Sequence, residues 1–526
     1  MPDLCLKPNV QVEPLFDRWY VWPYLIPPGP AARNVTERHL KIMDSYIREP
    51  ETHAAAVKNP RFLGGPFVDY NGQRVDEMKE LMKFTRENRS ELICLSEALV
   101  ELDHVLQSNA KGTSLQPLYP RVPEILRGFV ELTYDLNHHP SFRIIEPLLY
   151  RKYYDRSAQS LALSLTYNDN RPFILSTPRL RSPDLIFLQI PFDDEVVDWL
   201  FSLKRRPSKA AIRDRLDVPN TEQKLLSSFF SHEAPPPYER YTGAGIRWRY
   251  FGHACILIET ARVSMLFDPV LSYTYDGSIP RYTYQDLPDE IDFALITHNH
   301  QDHILFETLL QIRHKVKTFV VPANSGGALH DPSVKLLLQY SGCRNVIELR
   351  EMESIQFGEG SITGVPFLGE HADLSVLSKL AYLVCIGRHR LLFAADSCNL
   401  EPSLYEHLHK AFGDINALFL GMECDGAPLS WLYGPLLTRG IPREMDQSRR
   451  LAGSNYEQAA ALVKSLKCQE VYIYAMGQEP WLNYIMSVKY TDLSRPIIAS
   501  DRLIKECQAR AIHAERLFGE REILIP

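Results

Sequence analysis

The chain has 526 residues, 45% of them hydrophobic and 23% charged, with a formal net charge of −7. That length allows more than one large core, and the acidic balance argues against nucleic acid as the main partner, because phosphate binding needs a cationic face. No apolar run is long enough to span a bilayer and no signal peptide is expected, so no membrane partner is expected; nine scattered cysteines without a C-x-x-C pair read as reduced, mostly buried thiols of a cytoplasmic protein.

Residues 1 to about 30 combine Trp19, Tyr20, Trp22 and Tyr24 with Pro23, Pro27, Pro28 and Pro30. This predicts an extended arm laid on a surface, since free segments are poor in aromatics. Apolar spacing predicts helices over 35–48, 75–84 and 90–106, the last with Ser90 as N-cap, and a further helix over 123–136 with Pro123 in its first turn. His138-His139-Pro140 reads as a turn rather than a ligand pair. Ser160 to Leu165 alternates as a strand does; Asn168-Asp169-Asn170 then turns the chain and Phe173-Ile174-Leu175 returns, which predicts a hairpin. Short helices are expected over 195–203, 209–216 and 221–230. Lys204, Arg205, Arg206, Lys209, Arg213 and Arg215 form a basic cluster, read as a solvated face or, more sharply, as a docking patch for an acidic protein. Residues 1–235 are therefore expected to form an α+β domain. Glu233-Ala234-Pro235-Pro236-Pro237 and Gly243-Ala244-Gly245 mark the boundary, and 245–526 form a second domain.

In that second part strands and helices alternate. Phe251 to Glu259 is expected to be one opening strand, and Leu266-Phe267-Asp268-Pro269 a strand ending in a structural acid. Further strands are expected at 318–321, 346–349, 382–386, 391–394, 417–420 and 471–474, with helices over 304–315 and 455–466. This pattern predicts two sheets between helical layers. The apolar run Ile291 to Ile296 reads as a buried strand, and it leads into Thr297-His298-Asn299-His300-Gln301-Asp302-His303. A loop leaving a strand can turn several side chains toward one point, and imidazole with carboxylate ligates zinc, iron or manganese. Four such groups predict two metals, with His298 and His300 on one, and Asp302 and His303 on the other. Leu392-Phe393-Ala394-Ala395-Asp396 supplies a further strand-end acid.

The H-x-H-x-D-H run and the ordered strands resemble the metallo-β-lactamase fold over residues 245 to 500, which implies an αββα sandwich for the second domain. Two departures from the hydrolase pattern matter. Where hydrolases of the fold offer a third histidine, this chain reads Phe367-Leu368-Gly369-Glu370-His371, so either Glu370 or His371 is available as a ligand. Where they often place a last histidine, it reads Tyr474-Ala475-Met476-Gly477-Gln478-Glu479-Pro480-Trp481. His513 is expected far along a charged helix, on the surface. Asp302, Glu370 and Asp396 together offer three carboxylates, a set suited to iron.

These features and the length resemble the di-iron β-hydroxylases that act on carrier-protein-bound amino acids, as in chloramphenicol biosynthesis. The resemblance implies a monooxygenase with two iron ions under an oxo or hydroxo bridge. It implies dioxygen as co-substrate and an external electron-donor protein. The tethered substrate would be an aminoacyl thioester on a peptidyl carrier protein of a nonribosomal peptide synthetase. It assigns His298, His300 and Glu370 to one iron, Asp302 and His303 to the other, and Asp396 to both, with Glu370 and Asp396 at the catalytic centre. It further implies a homodimer, with the N-terminal domain in dimerisation and substrate access. Glu423 and Asp425 follow the strand at 417–420 and are expected at the rim, where either can hold the substrate amine; His253 is expected to orient a ligand from behind, or to be a satisfied core histidine.

Overall fold

The computed structural model describes residues 4–202 and 208–526. Two seven-stranded sheets face each other in the second half of the chain. The first runs, in spatial order, Val346–Leu349, Val316–Pro322, Ile291–Leu295, Ser264–Phe267, Cys255–Glu259, Ile246–Gly252 and Arg521–Ile525. The second runs Ser354–Phe357, Gly360–Val365, Ala381–Ile386, His389–Phe393, Ala417–Gly421, Glu470–Tyr474 and His513–Arg516. Aromatic side chains fill the space between them. Phe267 stacks on Phe393 with ring centroids 4.0 Å apart, Phe393 on Phe419 at 4.6 Å, and Trp248 meets Phe419 edge-on at 5.2 Å. Such pairs add roughly 0.5–1.5 kcal/mol each beyond their area burial. Helices Pro402–Phe412, Tyr456–Ser465 and Arg495–Ala509 cover the outer face of the second sheet through Leu408, Leu462 and Leu503.

The topology fixes where a site can form. Ser264–Phe267 and Ile291–Leu295 run parallel, as do His389–Phe393 and Ala417–Gly421. Their carboxyl ends therefore lie at one edge of the sandwich, where parallel sheets place ligands. The loops beginning at Asp268, Ile296, Ala394 and Met422 all leave from that edge.

The N-terminal part holds a four-stranded antiparallel sheet, ordered Trp19–Tyr20, Val10–Phe16, Gln159–Leu165 and Ile186–Leu188. Several expectations are corrected here. The aromatic-proline arm is no surface strap: every residue from Val10 to Asp17 and from Trp19 to Asn34 is buried. Its prolines start a helix at Pro28 that continues through a π turn at Val35–His39 to Arg48, so the helix begins earlier than residue 35. Ser90 is the first helical residue, and Arg89 occupies the cap position with no side-chain cap bond. The helix expected over 123–136 is a 3-10 turn at Glu124–Leu126 followed by a hairpin of Val130–Tyr134 with Pro140–Ile144. The turn at His138-His139 is present, closed by Asp135, which accepts from the amides of Asn137 and His139. The strand Gln159–Leu165 pairs with Val10–Phe16 and Ile186–Leu188, not with 173–175; Ile174 donates its amide to the Tyr484 carbonyl instead. Phe251 to Glu259 is two strands joined by a tight turn at His253-Ala254. His513 begins an edge strand rather than lying on a helix, though it is exposed as expected.

The two halves share apolar cores. Val12, Leu161 and Leu163 pack in one cluster with Phe306 and Leu309; Trp22 and Tyr24 pack in another with Leu429, Tyr433 and Trp481. A buried charge network crosses the same boundary. Arg171 donates to Glu13 at 2.8 Å and to Glu307 at 3.0 Å, and its guanidinium lies 3.4 Å over the Tyr484 ring. Arg179 also donates to Glu13, at 2.7 Å. Burial disfavours the Glu13 charge, but the guanidiniums of Arg179 and Arg171 outweigh it and hold the carboxyl below its ordinary value. In the basic cluster, Lys204, Arg205 and Arg206 lie outside the described residues. Arg213 donates to Asp214, and Arg215 sits 3.6 Å from Glu195 and 4.7 Å over Trp199.

Candidate metal centre

The strand Ile291–Leu295 delivers Thr297 to the carboxyl edge beside Asp268, which ends the neighbouring parallel strand. Asp268 accepts from the Thr297 amide at 2.7 Å, from the Thr297 hydroxyl at 2.6 Å and from His303 Nδ1 at 2.8 Å. The network assigns the tautomers. With its Nδ1 proton directed to Asp268, His303 turns Nε2 to Asp396 Oδ2, 3.1 Å away, where a proton or a metal ion completes the contact. The Thr297 hydroxyl proton points to Asp268, so its oxygen accepts from His298 Nδ1 at 3.0 Å. His298 Nε2 is then a lone pair. It is buried without a hydrogen-bond partner, as are Glu370 Oε2 and Asp396 Oδ1.

Glu370 reaches the cluster on a tight loop. Gly369, Glu370, Ala372 and Asp373 all have φ between 52° and 74°, a conformation that non-glycine residues hold only when the surroundings impose it. A Cβ on Gly369 would lie 2.5 Å from the Cβ of Cys398. Glu370 Oε1 is 2.7 Å from His300 Nδ1, and Oε2 is 3.7 Å from His298 Nε2. At 2.7 Å a proton carried on His300 Nδ1, or a metal ion in its place, lies between the nitrogen and Glu370 Oε1. His371 instead turns Nδ1 to the far nitrogen of His300, 3.0 Å away, and to the Tyr433 hydroxyl, also at 3.0 Å. Asp396 lies between His303 and His298, with Oδ2 3.1 Å from His303 Nε2 and 3.9 Å from His298 Nε2. Gly421 makes room for it, since a Cβ there would stand 2.7 Å from Asp396 Oδ1.

His253 sits on the turn that divides the expected opening strand, at φ 51°. Its Nδ1 accepts from the Gly477 amide at 3.2 Å, which places its proton on Nε2, 3.1 Å from Asp302 Oδ2. His253 thus donates to Asp302 and orients it. Trp481 packs against Gly252, where a Cβ would be 3.1 Å from the indole. The Met476 to Trp481 run therefore holds the His253 turn.

Ligand atoms converge in three overlapping groups, each within 4.8 Å: His298, His300 and Glu370; His298, His303 and Asp396; His253, Asp302 and His303. All seven residues are buried. Burial and the charges of Asp396 and Asp302 push Glu370 up to about 7, although His300 pulls the other way. A buried acid cluster with unpartnered oxygens and correctly turned imidazoles fits a pair of divalent or trivalent ions.

Comparison with known proteins agrees over the whole length. Residues 5–235 match the family described as the diiron non-heme beta-hydroxylase N-terminal domain, and 264–428 match the beta-lactamase superfamily domain. The chain is 37% identical over 529 residues, covering 98% of itself and 99% of the other protein, to the 4-amino-L-phenylalanyl-[CmlP-peptidyl-carrier-protein] 3-hydroxylase of Streptomyces venezuelae. The chain belongs to the di-iron β-hydroxylase family. The crystal structure of CmlA, a di-iron β-hydroxylase from Streptomyces venezuelae, matches with a TM-score of 0.94 at 37% identity over 100% of both chains. A glutamate-to-aspartate variant of CmlA matches with a TM-score of 0.92 at 36% identity, covering 99% of this chain and 100% of that one.

In this di-iron β-hydroxylase, a monooxygenase by family, the predicted site residues His298, His300, Asp302, His303, Glu370 and Asp396 come together. Glu423 is half-buried at the rim, and burial together with the Asp396 and Asp302 charges raises its carboxyl well above the ordinary value. Asp425 is exposed and turned away, 3.9 Å from both Arg450 and Arg495. Sequence reasoning missed Tyr433, Asn299 and Tyr24. Tyr433 Oη is 3.1 Å from His300 Nε2, and Asn299 donates to the Tyr24 hydroxyl at 3.1 Å. Only Asn299 carried a signal, its place between two candidate ligands.

Proposed function

We propose that this enzyme hydroxylates the β-carbon of an aminoacyl group held as a thioester on the carrier protein of a nonribosomal peptide synthetase. The observation that carries the proposal is the acid-rich donor set: Glu370 turned onto His300 Nδ1, with His371 set against the far nitrogen of His300 and 3.3 Å from Glu370 Oε2. The full-length similarity to an enzyme named for a carrier-bound substrate supports the same reading.

In this reading His298 Nε2, His300 Nδ1 and Glu370 would hold one iron, Asp302 and His303 Nε2 would hold the other, and Asp396 would serve both. The bound iron pair supplies the reduction of dioxygen and the oxidising power to hydroxylate a C–H bond, with electrons from an external donor protein. The chain's own residues do the rest. Asp268 keeps the His303 proton on Nδ1, and His253 fixes Asp302. Tyr433 and Trp481 are buried beside the site and keep bulk water from it, which protects a reactive centre. Glu423 accepts from the substrate ammonium. Anchoring the α-nitrogen leaves the β-carbon two bonds away with little freedom, which raises the effective concentration of the reacting bond. Residues 1–235 serve dimerisation and substrate access, 245–526 carry the chemistry, and the enzyme works in the cytoplasm as a homodimer.

The test is direct. Aerobically purified protein should carry close to two irons per chain with a near-ultraviolet oxo-bridge band. Reduced protein given dioxygen and a set of aminoacyl carrier proteins should yield one that is heavier by an oxygen atom. Stoichiometric zinc with ester or lactone cleavage would replace this reading with a hydrolase.

A further inference from the structure

His371 and Tyr433 lie against the far nitrogen of His300, with His371 Nδ1 also 3.3 Å from Glu370 Oε2, and the mechanism above gives them no part beyond shielding. Three heteroatoms meet there: His300 Nε2, His371 Nδ1 and Tyr433 Oη, separated by 3.0, 3.0 and 3.1 Å. All three side chains are buried, Tyr433 and His371 almost completely. Their protons can be counted. If His300 gives its Nδ1 lone pair to a metal, its proton sits on Nε2 and needs an acceptor. A phenol can accept that proton on its oxygen while donating its own hydrogen to His371 Nδ1. The chain His300 Nε2–H to Tyr433 O–H to His371 Nδ1 then pairs the three facing atoms and leaves the His371 proton on Nε2, buried without a hydrogen-bond partner.

The position of Tyr433 is itself enforced. It ends the short helix Leu429–Tyr433, and the turn Gly434–Leu436 follows. Arg33 of the N-terminal part donates to the Pro435 and Leu437 carbonyls, each at 3.0 Å, and the Tyr24 ring meets Tyr433 edge-on at 5.9 Å. Arg33 is buried and its third contact is the Ser96 hydroxyl at 3.0 Å. A clamp of this kind leaves the phenol one placement.

We infer that Tyr433 and His371 are positioning residues that lock His300 in the Nε2–H tautomer, so that the N-terminal part of the chain, through Arg33 and Tyr24, sets the affinity of the His298–His300–Glu370 metal position. The inference rests on the reading of His300 as a ligand through Nδ1. It gives His371 a role where the sequence left it as an alternative ligand.

The experiment titrates metal-free protein with cobalt(II) against a competing chelator, following the visible bands of the ion, and resolves two stepwise affinities. His300→Ala identifies which step belongs to this position. Tyr433→Phe should weaken that step 10- to 100-fold, the range for loss of a ligand's supporting partner, and leave the other step unchanged. His371→Gln should act in the same direction. Arg33→Met should reproduce a smaller loss at the same step. Melting temperatures of the metal-free variants serve as the folding control, and a Tyr433→Phe protein that folds as the parent does is the informative one. If His300→Ala leaves both steps intact, the ligand reading fails. If His300→Ala removes one step while folded Tyr433→Phe and His371→Gln leave both at parental strength, or weaken both alike, the inference fails and the ligand reading stands.

Discussion

The two halves of the metal centre are supported from different sides. The pocket of Asp302, His303 and Asp396 is held from inside the sandwich, by Asp268 at a strand end and by His253 on a turn between adjacent strands. The pocket of His298, His300 and Glu370 shares Thr297 with it, but its remaining support comes from outside the two sheets: the left-handed loop at 369–373, and Tyr433 clamped by Arg33 and Tyr24. The contrast teaches that one half of the site is a property of the fold and the other half a property of this particular elaboration of it. A fold-borne pocket stays where the sheets put it.

That contrast is open to breaking. The largest effect is expected from Arg171→Met, which severs the junction between the two parts of the chain. It leaves Glu307 as a buried carboxylate without its cation, while Arg179 still pairs Glu13, a loss of roughly 3–5 kcal/mol, read as a lower midpoint in denaturant. Next is Asp268→Asn. The amide nitrogen faces the Thr297 hydroxyl and His303 Nδ1, both donors, so stability should fall by about 1–3 kcal/mol and the second metal position should weaken roughly 10- to 100-fold, as seen by metal titration. Glu370→His is expected to keep two metal ions while shifting the bound metal from iron toward zinc; elemental analysis of the purified variant checks it.

The junction also predicts a pH dependence. Glu13 has a folded-state value below its unfolded one, so its contribution is present above the ordinary carboxylate range and is lost as the pH falls through that range toward the folded value. Melting temperature should therefore drop on the acid side more steeply in the parent than in a Glu13→Gln protein. The smallest effect is expected at Arg215→Ala. Its ion pair is solvent-exposed, so stability should change by less than about 1 kcal/mol.

Much of the catalytic part was legible because its signals are local. A buried strand ending in Thr297-His298-Asn299-His300-Gln301-Asp302-His303 states its own geometry, and strand-end acids at Asp268 and Asp396 follow from the same rule. The His253 turn was hidden because Gly252 and Ala254 sit inside an unbroken apolar run, and only the antiparallel register of Ile256 with Tyr250 shows the fold-back. The hairpin at 130–144 was read as a helix because Ile125, Leu126, Phe129, Val130 and Leu132 satisfy helical spacing as well as alternation. Its β-branched and aromatic residues, with the Asn137-His138 turn, were the better guide. The N-terminal arm was misplaced for a related reason: aromatics and prolines announce packing, but not against which surface. Tyr433 was illegible, since nothing in Leu429-Ser430-Trp431-Leu432-Tyr433 points to a histidine more than a hundred residues earlier.

The proposed function requires acidic side chains that fit this bimetal pocket to iron and oxygen. The most direct measurement supplies the reduced enzyme with isotopically labelled dioxygen and an aminoacyl carrier protein, then weighs the carrier-bound product. One labelled oxygen atom on the aminoacyl group, together with close to two irons per chain, is the result predicted. An unlabelled, unaltered aminoacyl group across the carrier set, from protein that holds zinc and cleaves esters, would contradict it.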